Sequence, residues 1–341
     1  MMPSDSSGLI RFVIAGTLRQ DFILLPNRQS YAGMPGGSLL YAAAGMNIWT
    51  RDIALVGRVG QNYPQEWIER LNKYQFDTRG IHKLPHDLDA RAFYAYPDLN
   101  TRILSDPVMQ YSRAGLPYPK ELLGYANPTP QIDSRNQPTD YTIRLTDFPN
   151  DYLDATAAHL APLDFLTHTL LPSALRQGHV NTITLDPGAG YMQPAFWDDI
   201  PRLIKGLTAF LTSEEKLRTL FGGRSSDLWE MAEAIAAYGC DFVVVRRGVQ
   251  GQYLYDHSSR TRWVVPAYPG RGVDPTGAGD AFCGGFLVGY RERYSPLEAA
   301  LQGNISASLV IEGSGPFYAM DTLPGLAAAR LEALRSSVRK A

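Results

Sequence analysis

Cysteine is nearly missing: Cys240 and Cys283 are the only 2 in 341 residues, and they are far apart with no C-x-x-C spacing. That excludes a disulfide framework and a thiolate metal site, and leaves two buried thiols as the expectation. No stretch approaches the ~18 consecutive apolar residues of a membrane span. The start, Met1 to Gly8, lacks the basic-then-apolar pattern of a secretory signal. The expectation is therefore a cytoplasmic protein with no membrane partner, in which the Asn304-Ile305-Ser306 sequon is a chance match. An excess of one charge is also absent, since 32 basic and 34 acidic residues give a formal net charge of −2. Neither sign runs in blocks, which argues against nucleic acid as a partner. There is no G-x-x-x-x-G-K-[ST] and no G-x-S-x-G, so neither a P-loop nor an α/β-hydrolase elbow is encoded. Internal repeats and low-complexity tracts are lacking as well.

What is present is a core-forming chain, 45% hydrophobic, in which short β-type runs alternate with longer helical patterns. That alternation predicts an α/β fold of parallel strands joined by helical crossovers. Strands are expected at Arg11–Ala15, Ile53–Gly57, Thr182–Asp186, Thr208–Thr212 and Phe242–Arg246. Helices are expected at Ser38–Trp49, Pro64–Tyr74, Phe165–Gln177 and Ser226–Tyr238. The β-branched run Val243-Val244-Val245 suits a central strand covered on both faces. Gln252–Tyr255 and Arg262–Val265 form a hairpin pattern. From Pro97 to Pro149 recurring prolines exclude long helices. Arg91–Tyr96 before that region and Tyr141–Leu145 at its end read as strands, so the segment is expected to be a partly β lid or edge insertion.

The most informative stretch is Asp274-Pro275-Thr276-Gly277-Ala278-Gly279-Asp280-Ala281-Phe282. Proline and glycines favour a tight turn, and the apolar pattern that follows starts a helix. A helix start presents unpaired N–H groups and the positive end of a dipole, a combination that binds anions. Asp280 would stand in the first turn, facing whatever those groups hold. A carboxylate repels phosphate, so its presence there makes sense for taking a proton from a hydroxyl during transfer; as an ordinary helix-start residue it makes equal sense. Among the histidines, His82 and His86 are separated by Pro85, which discourages a shared metal, while His159 and His168 read as satisfied core histidines.

The stretch Asp274 to Phe286, D-P-T-G-A-G-D-A-F-C-G-G-F, resembles the C-terminal signature of PfkB (ribokinase-like) carbohydrate kinases. Pro35-Gly36-Gly37 with Ile53 to Gly60 resembles the N-terminal signature. Val244 to Gly251 resembles the strand and glycine turn along the nucleotide, and Thr184-Leu185-Asp186-Pro187 resembles the strand-end D-P. The resemblance implies a single ribokinase-like domain over residues 1–341, with a doubly wound, mostly parallel sheet, helices on both faces and a small β lid. Lid and insertion segments would lie at about 17–35 and 88–148. It implies transfer of the ATP γ-phosphate to a hydroxyl of a sugar or sugar derivative. Gly277, Ala278 and Gly279 would supply the anion hole and Asp280 the general base. Asp21, Gly36 and Gly37 would bind the substrate, and Gly248, Gly251 and Asn304 the nucleotide. Mg²⁺ is implied by the chemistry, and a monovalent cation such as K⁺ is implied near Asp274. Relatives often dimerise through the lid, which implies a possible homodimer.

Three departures qualify that pattern. Tyr41 stands where many relatives carry a sugar-contacting Asn, so the acceptor is expected to differ from ribose. Ser213 and Lys216 stand where relatives carry N-x-x-E, and Glu214 or Glu215, with Glu215 the first candidate, would substitute in organising metal-bound water. Gln61 replaces a common Asp. A nucleoside kinase of the same fold, and a catalytically silent ligand-binding relative, stand as the alternative readings.

Overall fold

A computed structural model describes residues 11–126 and 132–340. In chain order the strands are β1 (Phe12–Ala15), β2 (Arg19–Leu24), β3 (Ser30–Gly36), β4 (Ile53–Val59), β5 (Asp77–Lys83), β6 (Arg91–Asp98), β7 (Thr101–Ile103), β8 (Ala157–Leu160), β9 (Thr182–Leu185), β10 (Ala209–Ser213), β11 (Phe242–Arg246), β12 (Gln252–Asp256), β13 (Thr261–Val265) and β14 (Arg339–Lys340). The helices are α1 (Ser38–Asn47), α2 (Gln65–Lys73), α3 (Pro107–Ala114), α4 (Phe165–Gln177), α5 (Ile200–Ile204), α6 (Glu214–Phe221), α7 (Leu228–Ala236), α8 (Ala278–Arg293), α9 (Pro296–Val310), α10 (Pro316–Met320) and α11 (Leu326–Arg335).

Ten strands form one sheet in the order β14-β13-β12-β11-β10-β9-β8-β1-β4-β5. Pairing is parallel from β5 through to β11 and antiparallel from β11 to β14. Strand residues alternate between two apolar layers. Phe12, Ile14 and Val244 join the layer with α1, α8 and α9, whereas Val13, Ala15, Val243 and Val245 join the layer with α4 to α7. The β-branched run of β11 is thus buried on both faces, as a parallel strand under two helical layers must be. The chain leaves β1 toward β4 on one side and later fills β8 on the other. That reversal opens a crevice at the strand C-terminal ends, the place where such sheets bind ligands. Asp186, Ser213 and Arg246 all lie at those ends.

A second sheet of four strands, β3-β2-β6-β7, covers the crevice. Its strands come from residues 19–36 and 91–103, and β2 pairs with β6 in parallel. One expectation needs correction in the proline-rich segment. Tyr141–Leu145 is not a strand, because side chains satisfy its backbone: the Ile143 N–H donates to Thr167 Oγ1 (3.0 Å) and the Arg144 N–H to Asp147 Oδ2 (2.9 Å). The helix that does form there, α3, is short, two turns, with Pro107 at its first position where no backbone donor is needed, in keeping with the exclusion of long helices.

Helices α1 and α8 meet at glycines. A Cβ on Gly45 would run into the Ala281 backbone, and one on Gly284 into the Ala42 carbonyl. This close approach fixes the start of α8 against α1, which carries Tyr41.

Candidate active site

Helix α8 begins where the sequence places it. Gly277 is its N-cap in the left-handed region (φ 77°), and a Cβ there would overlap the Tyr41 ring. Both facts require glycine. The N–H groups of the first turn have no intrahelical acceptor. The Ala278 N–H turns back to the Pro275 carbonyl (3.3 Å), so it is already engaged, while Gly279 and Asp280 continue the cradle. Asp280 is half-buried at the crevice. Burial pushes its carboxyl up to about 7, Asp186 adds to that, and Arg246, Lys216 and Arg102 pull it back. A carboxyl that titrates near neutrality is matched to taking a proton from an alcohol as phosphate transfers.

Beneath this turn lies a charge cluster. Asp186 accepts from Lys216 Nζ (2.8 Å) and from an Arg246 Nη (2.6 Å). Burial opposes the Asp186 charge, but the two cations outweigh it and hold the carboxyl below its ordinary range. Arg246 also donates to the Gly279 carbonyl and approaches Cys283 Sγ (3.3 Å), tying the anion turn to the end of β11. Ser213 caps α6 by accepting from the Lys216 N–H (3.2 Å). With that cap, the inward position of the first turn belongs to Lys216. Glu215, expected to stand in for the metal-organising acid, is exposed, and Glu214 is tied to Arg218 and Arg247. No group of three or more His, Cys, Asp or Glu side chains among the described residues makes a metal site.

On the lid side, Asp21 projects from β2 and is fully buried; neither carboxylate oxygen makes a well-formed hydrogen bond, although the Tyr41 hydroxyl and the Gly37 N–H stand close enough to favour its charge. Its carboxyl is raised to about 7 by burial, against the pull of the Tyr41 hydroxyl and the Arg19 charge. A Cβ on Gly36 would overlap that carboxylate, so glycine keeps the space in front of Asp21 open. Gly37, at φ 94°, turns β3 into α1 and thereby aims Tyr41 at Asp21. The Tyr41 and Tyr63 hydroxyls are likewise buried without a well-formed hydrogen bond. Tyr94 and Tyr96 of β6 feel the Asp21 charge on top of their own burial, which pushes Tyr96 up to about 12. The Thr276 hydroxyl donates to Tyr96 (3.0 Å), so the lid touches the anion-turn loop directly. Asp274 accepts from the Thr276 N–H (2.9 Å), while its Oδ2 and the Ser314 hydroxyl are buried near each other without a well-formed hydrogen bond to any group. Burial raises the Asp274 carboxyl.

The expected nucleotide-side residues come together, with altered roles. Gly251 (φ 81°) packs where a Cβ would strike the Val265 carbonyl, and Gly248 (φ 57°) faces open space. Asn304 does not offer a free amide. Its Oδ1 accepts from the Tyr268 N–H (2.9 Å), and its Nδ2 donates to Gln252 Oε1 (2.9 Å) and the Pro266 carbonyl (2.7 Å). It staples the loop after β13 to α9. His159 and His168 are fully buried, bonded to Thr184 and to Tyr191, as the sequence suggests. Both cysteines are buried and free. No helix among the described residues is long and apolar enough to cross a membrane.

Sequence reasoning passed over Tyr63, Tyr94, Tyr96 and Arg246 and treated Tyr41 and Lys216 only as losses. An aromatic or basic residue at a strand end carries no local signal of its target, which the crossovers bring in from elsewhere.

Comparison with known proteins agrees with this geometry. The profile described as "pfkB family carbohydrate kinase" matches residues 154–323. A cytidine kinase of Thermococcus kodakarensis is 25% identical over 294 residues, 86% of this chain and 93% of that protein. Among solved structures, a putative ribokinase II from E. coli in complex with ATP and Mg²⁺ superposes with a TM-score of 0.67 at 18% identity, covering 96% of this chain and 100% of the other. A Burkholderia thailandensis nucleoside kinase in complex with inosine gives a TM-score of 0.67 at 20% identity, covering 95% and 99%.

Proposed function

The chain belongs to the pfkB family of carbohydrate kinases, and from that premise we propose that it moves the γ-phosphate of ATP to a hydroxyl of a sugar or nucleoside, with Asp280 as general base. The observation that carries the acceptor half is the Asp21 carboxylate, fully buried with no well-formed hydrogen bond, only the Tyr41 hydroxyl and the Gly37 N–H nearby, and the Tyr63 hydroxyl unpartnered beside it. Buried acceptors are costly when unmet, and a ligand with adjacent hydroxyls donates to both carboxylate oxygens at once.

In this reading the open first-turn N–H groups of Gly279 and Asp280 receive phosphate oxygens, and Gly248 leaves room for the nucleotide along β11. These donors fit the anionic part of ATP. Mg²⁺ would arrive with the nucleotide as part of the substrate, where it would shield the phosphate charge. Asp21 and Tyr41 orient the acceptor, the Tyr96–Thr276 contact excludes water, and Asp280 accepts the proton from the attacking hydroxyl. Positioning and fixed dipoles supply most of the acceleration in such transfers.

The nucleoside version has specific support. The likeness to the cytidine kinase runs along 93% of that protein, and Tyr94 and Tyr96 give the lid side of the pocket aromatic walls suited to a base. The test is ADP release from Mg·ATP with pentoses, hexoses, sugar phosphates and nucleosides, using Asp280→Asn alongside. Acceptor-dependent turnover that Asp280→Asn lowers by ~10²–10⁴ is the expected result. Turnover with no acceptor, or equal turnover by the variant, would overturn the proposal.

A further inference from the structure

The floor of the anion turn carries an uneven charge. Asp186 opposes two cations, Arg246 and Lys216, and the three side chains are only 2%, 11% and 20% exposed. The Arg246 guanidinium is occupied by Asp186, the Gly279, Thr212 and Leu211 carbonyls, and Cys283. Lys216 spends two donors, on Asp186 Oδ1 (2.8 Å) and the Pro187 carbonyl (2.7 Å). An ammonium has three. Lys216 is therefore the member of the cluster with a donor to spare and with access to the crevice.

One positive charge is left over in poorly hydrated surroundings, next to a helix N-terminus that adds positive potential of its own. The acids of α6 do not answer it, since Glu214 pairs with Arg218 and Arg247 and Glu215 is exposed. Asp280 also faces it and offsets it while ionised; once Asp280 accepts the proton at transfer, the phosphate oxygens at the turn are the anion that remains to balance the cluster.

We infer that Lys216 is a phosphate-binding residue of this kinase, held by Asp186 and Arg246 so that its free N–H reaches the polyphosphate of the nucleotide. The inference rests on the kinase reading of the same site and adds a protein-borne cation to it. Asp186 acts through Lys216 as a positioning residue.

The experiment is calorimetric binding of Mg·ATP, adenosine and inorganic tripolyphosphate to the wild type, Lys216→Met and Lys216→Arg. Loss of one charge-assisted bond should weaken Mg·ATP and tripolyphosphate about tenfold or more in Lys216→Met. Adenosine binding should not change, and Lys216→Arg should recover most of the loss. Tripolyphosphate should also protect Lys216 of the wild type from acetylation, a readout that does not depend on how well a variant folds. Equal tripolyphosphate binding by wild type and Lys216→Met, or no protection, overturns the assignment. Wild type that binds tripolyphosphate with Lys216 protected but fails to bind ATP supports Lys216 as an anion ligand and sinks the kinase reading instead.

Discussion

Replacing Asp21 with asparagine should stabilise the protein at alkaline pH while impairing its use of the acceptor. The carboxyl rises from its ordinary value of 3.8 to about 7 on folding. The sign follows from proton binding. Below about pH 4 both folded and unfolded chains hold the proton, and the group is neutral to stability. Between about 4 and 7 the folded chain holds a proton that the unfolded chain has lost, so stability falls with rising pH, by about 1.4 kcal/mol per unit. Above 7 both are ionised and the full penalty remains, on the order of 4 kcal/mol. Asn keeps the shape and never ionises, so the variant avoids the penalty. Urea denaturation of both proteins from pH 4 to 8.5, without acceptor, gives a difference curve in which the other titrating groups cancel. The curve should start near zero, climb in favour of Asp21→Asn through neutrality and level off by about 4 kcal/mol at most. Acceptor KM should rise steeply in the same variant. A flat difference curve would refute the reasoning, because it would mean that Asp21 is already solvated or paired in the folded chain.

Four further outcomes are expected. Asp280→Asn should lower kcat by ~10²–10⁴ and flatten the rise of kcat/KM through about pH 7 that the ionisation of Asp280 gives the wild type. Gly36→Ala places a methyl against the Asp21 carboxylate, so steady-state kinetics should show a higher acceptor KM with little change in ATP KM. Asn304→Ala leaves the Tyr268 N–H, Gln252 and the Pro266 carbonyl without their partner. It should cost about 2–3 kcal/mol in denaturation experiments while leaving the chemistry of bound ATP intact. Asp274 Oδ2 and the Ser314 hydroxyl are buried beside the start of α8 with little but each other for company, so any K⁺ activation seen in a titration should disappear in Asp274→Asn.

Most of the sheet was legible because its strands are short apolar runs with clear punctuation. The Val243–Val245 run reads as a doubly covered strand from composition alone, and β11 is that strand. Strand β5 was missed for the opposite reason. Its Asp77–Lys83 run is polar, and the strand exists because it pairs as the sheet edge with β4. Strand β8, the centre-filling partner of β1, is four residues in an alanine-rich stretch, too short for a period to show. At Tyr141–Leu145 the β-type residues are real, but Thr167 and Asp147, distant or downstream in sequence, take the backbone donors a ladder would have used.

The site divides along the same line. The anion turn is written in consecutive residues, so its glycines and Asp280 could be read together, and the structure gives Gly277 a physical need in its positive φ and its contact with Tyr41. Asp21 could be named from its position after β1, but its burial depends on β6 and α1 closing over it. The cluster of Asp186, Lys216 and Arg246 comes from three different strand ends, and no one segment announces it. Against a pattern with an acid at its place, Lys216 reads as damage; bonded to Asp186 with a donor remaining, it reads as a change of charge at a working site. The two readings differ in sign. A decayed site would keep no particular hold on phosphate, whereas this cluster gains a cation that shares Asp186 with Arg246, the residue bonded to the Gly279 carbonyl. Tripolyphosphate binding therefore separates decay from substitution without any knowledge of the acceptor.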